Sequence, residues 1–184
     1  MRRTLLAAAF CTLAAPVLAA GFTVTSPDIH DGGTVPMAQV FNAFGCTGGN
    51  HSPAISWSGE PAGTQSFAVT MYDPDAPTGS GWWHWTVFNI PASMHSLPAD
   101  AGAASSTLLP AGAGQGRTDF GFSNYGGPCP PVGDKPHRYV LTVYAVKVAH
   151  LPLDASSSGA LVGFTLHFNA LATAHVTGRY GRPK

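Results

Sequence analysis

Residues 71–90 read MYDPDAPTGSGWWHWTVFNI, and residues 116–144 read GRTDFGFSNYGGPCPPVGDKPHRYVLTVY. In each stretch, a turn rich in proline and glycine precedes a run of β-branched and aromatic residues, which is typical of a strand. Polar side chains therefore collect at the expected strand ends: Asp73, Asp75, His84, His137 and Tyr139. Because binding residues are often found on loops held by a rigid scaffold, these stretches indicate a binding site.

The first 19 residues have the pattern of a secretory signal peptide. Residues 1–3 are a basic start, residues 4–16 are a short apolar run, and residues 17–19 form the cleavage pattern. A buried N-terminal helix is the alternative, and the abrupt change of composition at Gly21 argues against it. We expect a periplasmic or secreted protein without a lipid anchor at Cys11 or a stable membrane anchor of another kind.

The remaining residues 20–184 suit a single domain with a substantial core. Hydrophobic residues make up 45% of the chain and charged residues only 10%. Loss of Arg2 and Arg3 lowers the basic count from 9 to 7 against 9 acidic residues, a net charge of −2 with neutral histidine. This weakly acidic domain argues against binding to nucleic acid or anionic membranes.

Two cysteines, Cys46 and Cys129, remain after cleavage. An even number in an oxidising compartment favours a disulfide between them, with two free buried thiols as the alternative. The disulfide would connect the segment before Trp57 to the proline-rich segment before His137. CxxC spacing is absent, which argues against a zinc ribbon or a thioredoxin-like site.

Strand patterns dominate the first 150 residues. Predicted strands cover residues 22–25, 54–57, 66–72, 83–90 and 138–148. In the fourth strand, strict alternation places Trp85, Val87 and Asn89 on one face and Ile90 on the other. Many strands followed by few helices indicate a mainly β (α+β) fold, an antiparallel β-sandwich with short peripheral helices.

The C-terminal segment (residues 159–180) and the connection at residues 99–116 differ from this strand pattern. Residues 159–175 predict one or two short helices, and residues 177–180 predict a short final strand. Phe164 and Phe168, four positions apart, are expected to dock the tail helix on the sheet. Residues 99–116 are rich in Ala, Gly and Ser and predict a long surface loop or lid.

The turn after the third strand contains two carboxylates. Of Asp73 and Asp75, one can accept backbone N–H groups of the turn while the other points into a cleft. The alternative is that both only form the turn. Pro74 fixes the turn, and Pro77 is a candidate for a cis peptide bond.

Two histidines are candidates for binding an anion. His84 stands between Trp83 and Trp85, where partial desolvation is expected, and the alternative is a packing histidine. Alternation puts His137 and Tyr139 on one face of their strand, so both can reach one ligand. Arg138 faces the other way and can pair with an aspartate instead.

These segments together resemble the phosphatidylethanolamine-binding protein family, also called Raf kinase inhibitor-like proteins, in its bacterial secreted branch. The resemblance is carried, in the family's order, by residues 50–57, 73–77, 81–85, 127–133, 137–139 and 178–180. It implies a β-sandwich of a large and a smaller sheet with peripheral helices. It also implies a pocket for phosphate-like or carboxylate-like anions that includes Asp73, Asp75, His84, Pro130, His137 and Tyr139.

The first hypothesis for function is a non-enzymatic module without a cofactor, in which His84 and His137 donate to an anion and the two aspartates orient them. A protein or phosphopeptide partner is expected to add contacts, and the oligomeric state is open, with a homodimer as one alternative. The other hypotheses are a hydrolase with an Asp–His pair, a metal site of His84, His137 and Asp75, and a secreted protease inhibitor or host-interaction protein. No Gly-x-Ser-x-Gly motif supports the hydrolase.

Overall fold

The structure is a computed structural model that describes residues 21–184. The predicted signal peptide at residues 1–19 lies outside this range. Described in chain order, the elements are β1 (Thr23–Thr25), β2 (Ile55–Ser58), β3 (Ser66–Asp73), β4 (Trp82–Pro91), β5 (Ser96–Leu97), β6 (Gly114–Gln115), β7 (His137–Val146), α1 (Gly159–Asn169) and β8 (Ala170–Tyr180). Among these elements we find no helix with the length and apolar character needed to cross a membrane.

The strands form two antiparallel sheets that pack face to face. The smaller sheet has the order β1-β2-β5, and the larger has the order β6-β4-β3-β7-β8. Side chains from both sheets build the main core, where the rings of Trp57 from β2 and Phe67 from β3 lie 5.2 Å apart. This arrangement confirms the predicted mainly β fold with a large and a smaller sheet.

Helix α1 covers the outer face of the large sheet. Ser158 caps its first turn by accepting a hydrogen bond from the Leu161 backbone N–H at 3.2 Å. Val162 and Leu166 are fully buried in a second core cluster with Phe88 of β4. The chain then enters β8 at residue 170, so the prediction of helix up to residue 175 is wrong.

The two phenylalanines expected to dock α1 on the sheet do not do so. Phe164 and Phe168 are 63% and 58% exposed and pack on each other with ring centroids 5.0 Å apart. Successive helical residues are separated by about 100° around the axis, so Phe164 lies roughly opposite Val162. Val162 and Leu166, which are also four positions apart, face the sheet in place of the two phenylalanines.

A β-bulge at the start of β4 decides where its aromatic residues point. In the pairing of β3 with β4, Met71 lies opposite Trp85 and Tyr72 opposite Trp83, which leaves His84 without a partner. As a result Trp85 is buried in the main core, whereas Trp83 packs on the outer face against Gly159 of α1. Bulges of this kind often redirect side chains beside functional sites.

A second irregularity at the end of β4 overturns the strict alternation predicted for this strand. Phe67 pairs with Ile90 and Val69 with Val87, so β4 carries an extra residue between these pairs. Asn89 has φ of 59° there, a left-handed conformation that asparagine tolerates. Ile90 consequently joins Val87 in the main core instead of facing away from it.

Two further expectations concern residues 99–116 and Pro77. The surface loop predicted at residues 99–116 is confirmed for residues 103–112, which are irregular and exposed or half-buried. The ends of the segment differ from a free lid, because Ala101 is fully buried, Gly102 packs on the Trp85 ring, and strand β6 extends the large sheet. Pro77 is not cis, since all peptide bonds in the described residues are trans. Residues 74–80 form the turn around Pro77 with trans peptide bonds.

Candidate functional site

A cavity of about 220 Å³ opens at the end of the large sheet where β3 ends and β4 and β7 begin. Five of the six predicted site residues line it: Asp73, His84, Pro130, His137 and Tyr139. Pockets for drug-sized ligands usually have volumes of roughly 300–1,000 Å³, so this cavity suits a small chemical group.

Strand pairing brings Asp73 and His137 together. Asp73 is the last residue of β3 and His137 is the first of β7, which runs antiparallel to β3. The His137 Nδ1 atom lies 2.7 Å from Asp73 Oδ2, and both side chains are buried. Asp73 Oδ1 accepts the Asp75 backbone N–H at 2.8 Å. The carboxylate that terminates the buried strand therefore fixes both the turn and the His137 ring.

His84 is oriented by a backbone carbonyl and not by a carboxylate. Its Nδ1 atom donates to the Gly126 carbonyl oxygen at 2.7 Å. A carbonyl only accepts, so the proton of the neutral ring sits on Nδ1 and Nε2 is left as an acceptor. Burial lowers the pKa of His84 to about 4, which leaves the ring neutral at neutral pH. In the ligand-free protein Nε2 of His84 therefore offers an acceptor, whereas the sequence predicts a donor to an anion.

The segment that orients His84 is held by Asn50. The Gly127 backbone N–H donates to Asn50 Oδ1 at 2.8 Å. A side chain at Gly127 would overlap the Gln39 carbonyl oxygen, so only glycine allows this close approach. Asn50 had no separate role in the sequence analysis, although it opens one of the motifs that carry the family resemblance.

Two buried donors in residues that line the cavity have no hydrogen-bond partner within residues 21–184. They are the Tyr139 hydroxyl and the Trp82 indole N–H. Burial raises the pKa of Tyr139, so its hydroxyl keeps its proton. Buried polar groups are nearly always paired in folded proteins, and an unpaired one needs an explanation. Trp82 was not among the predicted site residues.

Asp75 is the predicted site residue that the structure does not bring into the cavity. Its carboxylate accepts from Arg138 Nη2 at 2.6 Å, from Arg138 Nε at 2.9 Å and from the Arg138 backbone N–H at 2.8 Å. This pairing confirms the structural role foreseen for Arg138 and lowers the pKa of Asp75 to about 2. Asp75 does not orient either histidine.

The structure also argues against a metal site formed by His84, His137 and Asp75. Asp75 is engaged by Arg138, and His84 and His137 each use Nδ1 for an oxygen of the protein. Within the part of the chain that the structure describes, no group of three His, Cys, Asp or Glu side chains is placed to hold a metal ion.

The predicted disulfide between Cys46 and Cys129 is present, with Cα atoms 6.0 Å apart. Cys129 itself lines the cavity, and Pro130 and Pro131 follow it in the wall. Arg182 fastens the same region, because its guanidinium donates to the Gly45 carbonyl at 2.8 Å and to the Pro130 carbonyl at 3.3 Å. The loop before β2 and the proline-rich loop are thus joined at the cavity.

Comparison with known proteins agrees with this architecture. The sequence profile described as phosphatidylethanolamine-binding protein matches residues 25–181. The chain is 58% identical over 172 residues to UPF0098 protein YbcL of Escherichia coli K12, covering 94% of this chain and 93% of YbcL. The crystal structure of YbcL, described as a new member of the mammalian PEBP family, superposes with a TM-score of 0.87 over 88% of this chain and 99% of that one.

Two further relatives extend the comparison. UPF0098 protein YbhB of Escherichia coli K12 is 48% identical over 155 residues, which cover 84% of this chain and 97% of YbhB. A Mycobacterium tuberculosis protein that carries the name lipoprotein LppC is 32% identical over 158 residues, covering 86% of this chain and 71% of its own length. With a profile that spans most of its length and relatives this similar, the chain belongs to the phosphatidylethanolamine-binding protein family.

Proposed function

We propose that the protein is a non-enzymatic binding protein whose cavity takes a small anionic group, such as a phosphate monoester or a carboxylate. The observation that carries the proposal is the pair of unpaired donors, Tyr139 O–H and Trp82 N–H, in residues that line one cavity. Both donor atoms are almost fully buried, so an anionic oxygen that satisfies them has to enter with a small shift of the Tyr139 and Trp82 rings. Hydrogen bonds to charged groups contribute roughly 1.5–3 kcal/mol each, so two give weak-to-moderate affinity for a small anion.

The tautomer of His84 selects the protonation state of the ligand. Because Nε2 of the neutral ring is an acceptor, it fits the monoanion of a phosphate monoester, which still carries one acidic proton, better than a carboxylate, which carries none. A phosphate monoester loses its second proton near pH 6, so its monoanion fraction grows as the pH falls from 8 to 5.5. Affinity should therefore increase over this range, through protonation of the ligand rather than of His84.

We propose no chemical step for the cavity, and we propose that a protein or phosphopeptide partner supplies further contacts. A periplasmic or secreted location is supported by the signal-peptide pattern of residues 1–19 and by the lipoprotein name of the mycobacterial relative. Incubation with phosphate monoesters should release no inorganic phosphate. Release that is lost in the His84→Ala variant would favour the hydrolase hypothesis instead.

Calorimetric titration of residues 20–184 with methyl phosphate tests the proposal. Tyr139→Phe removes only the unpaired hydroxyl and should weaken binding by roughly 10- to 150-fold, the cost of one hydrogen bond to a charged group. Tyr144→Phe is the matched control, because Tyr144 lies on the same strand and packs in the second core cluster, away from the cavity. Absence of binding to the unaltered protein at millimolar ligand, or equal affinity in Tyr139→Phe, would contradict the proposal.

A further inference from the structure

We infer that the preferred ligand carries a flat apolar group next to its anionic group, and that Phe44 is the residue that recognises this group. The inference rests on the proposed function, since it concerns the part of the same cavity that lies beyond the polar residues. The expected ligand is an organic monoanion that carries an aryl group, in contrast to inorganic phosphate.

The side chain of Phe44 is exposed at the cavity. Phe44 lines the cavity and is 69% exposed, the highest value among the large apolar residues found exposed in residues 21–184. A large aromatic ring is unfavourable in water, and exposed apolar surface beside a pocket often marks a binding site. The exposed ring of Phe44 lines the same cavity as the buried residues His84 and Tyr139.

The backbone of Phe44 has a conformation that is unfavourable for a bulky residue. Four residues other than glycine have positive φ in the described chain: Phe44, Asn50, Asn89 and Asp100. Asparagine and aspartate tolerate this left-handed conformation, whereas a bulky aromatic residue there is an outlier. Phe44 has φ of 53°, so the chain keeps an unfavourable backbone in order to present an exposed ring. Strained residues of this kind concentrate at ligand sites.

The loop that carries Phe44 is held in place by a disulfide and by a hydrogen bond. Cys46, two residues later, is joined to Cys129 of the cavity wall, and the carbonyl of Gly45 accepts from Arg182 at 2.8 Å. The loop is therefore held at the two residues that follow Phe44. A side chain that is already in place loses little conformational freedom when a ligand binds, which favours affinity.

The aromatic residues form a continuous wall from the polar floor to Phe44. The ring centroid of Phe120 lies 5.3 Å from His84, 5.3 Å from Trp82 and 5.8 Å from Phe44. A ring attached to an anion held by Tyr139 and His84 would lie along this wall and meet Phe44 at its end. Aromatic pairs at centroid distances of 4.5–7 Å are favourable beyond their buried area.

The test compares methyl phosphate and phenyl phosphate by calorimetric titration at pH 6. The unaltered protein should bind phenyl phosphate roughly 2- to 10-fold more tightly, the range given by one aromatic contact. Phe44→Ala should abolish this preference, because it weakens the binding of phenyl phosphate more than that of methyl phosphate. Phe164→Ala is the matched control, because Phe164 is 63% exposed on helix α1 and does not line the cavity. It should retain the preference.

The outcomes separate the inference from the proposed function. Equal affinity for the two ligands in the unaltered protein, or a preference that persists in Phe44→Ala, would overturn the role of Phe44 while the anion cavity stands. No binding of methyl phosphate would overturn the proposed function itself. Phe44→Asn provides a second variant, because asparagine tolerates the positive φ and removes the ring, so it should fold and behave as Phe44→Ala does.

Discussion

His84 Nδ1 donates a hydrogen bond of 2.7 Å to the carbonyl oxygen of Gly126, and this bond determines what the other ring nitrogen can do. The β-bulge of β4 turns His84 toward the cavity, and the bond to Gly126 fixes its tautomer. A buried neutral imidazole then presents an acceptor to the ligand. Together with the donors of Tyr139 and Trp82, the cavity matches an anion that retains one proton.

The burial of His84 makes the stability of the protein depend on pH. The pKa of His84 is lowered by burial from 6.5 to about 4, so the unfolded chain takes up its proton at a higher pH than the folded chain. Stability from this residue is present above pH 6.5 and is lost as the pH falls toward 4, by about 3 kcal/mol in total. Urea unfolding at pH 7 and pH 4 should show this loss, and His84→Gln should lack it. An identical pH dependence in the two proteins would contradict the assignment.

Removal of the Tyr139 hydroxyl should stabilise the ligand-free protein. The hydroxyl is buried without a partner, and an unsatisfied buried polar group costs about 1–3 kcal/mol. We expect Tyr139→Phe to raise the free energy of unfolding by roughly 1 kcal/mol while it weakens anion binding. Tyr144→Phe should change neither quantity appreciably. A marked loss of stability in Tyr139→Phe would mean that the hydroxyl has a structural partner.

The Cys46–Cys129 disulfide should contribute strongly to stability. It joins positions 83 residues apart. The loop-closure entropy of such a loop corresponds to roughly 4 kcal/mol, which the double variant Cys46→Ser, Cys129→Ser should lose in urea unfolding. Affinity for phenyl phosphate should also fall, because the loop of Phe44 is no longer fixed. An unchanged midpoint of unfolding would indicate that the two sulfur atoms are not bonded in solution.

The two apolar faces of α1 should respond differently to truncation. Leu166 is fully buried against the large sheet, whereas Phe168 is 58% exposed. Leu166→Ala should cost about 2–5 kcal/mol of unfolding free energy, as for other core leucines. Phe168→Ala should change it by less than about 0.5 kcal/mol, as for most surface sites. Thermal unfolding of both variants checks this, and the reverse order would mean that Phe168 is the docking residue.

The fold could be predicted from sequence where a local pattern decides the structure. The runs around β3 and β7 are continuous, β-branched and flanked by turns, and these strands appear close to their predicted bounds. The tail could not be divided correctly, because the three alanines in residues 170–175 favour a helix by intrinsic propensity. Only pairing with β7 makes that segment a strand.

The sequence predicted several of the residues that line the cavity, but it did not predict the hydrogen-bonding role of each residue. Asp73, His137 and Tyr139 follow from strand ends and alternation. The orientation of His84 depends on a bulge and on a carbonyl 42 positions away, which no local pattern reveals. The exposure and positive φ of Phe44 likewise arise from the loop as folded, because a phenylalanine in sequence suggests a buried ring.

Nitrogen-15 NMR of the histidine rings during titration with methyl phosphate tests the central claim most directly. At pH 6 the free protein should show a neutral His84 with an unprotonated Nε2, in keeping with a pKa of about 4. Ligand should shift the Nε2 signal of His84 strongly, while exposed His150 serves as an internal control that does not move. If His84 shows no change at saturating ligand, or is protonated before ligand is added, the cavity does not bind an anion in the way the structure indicates.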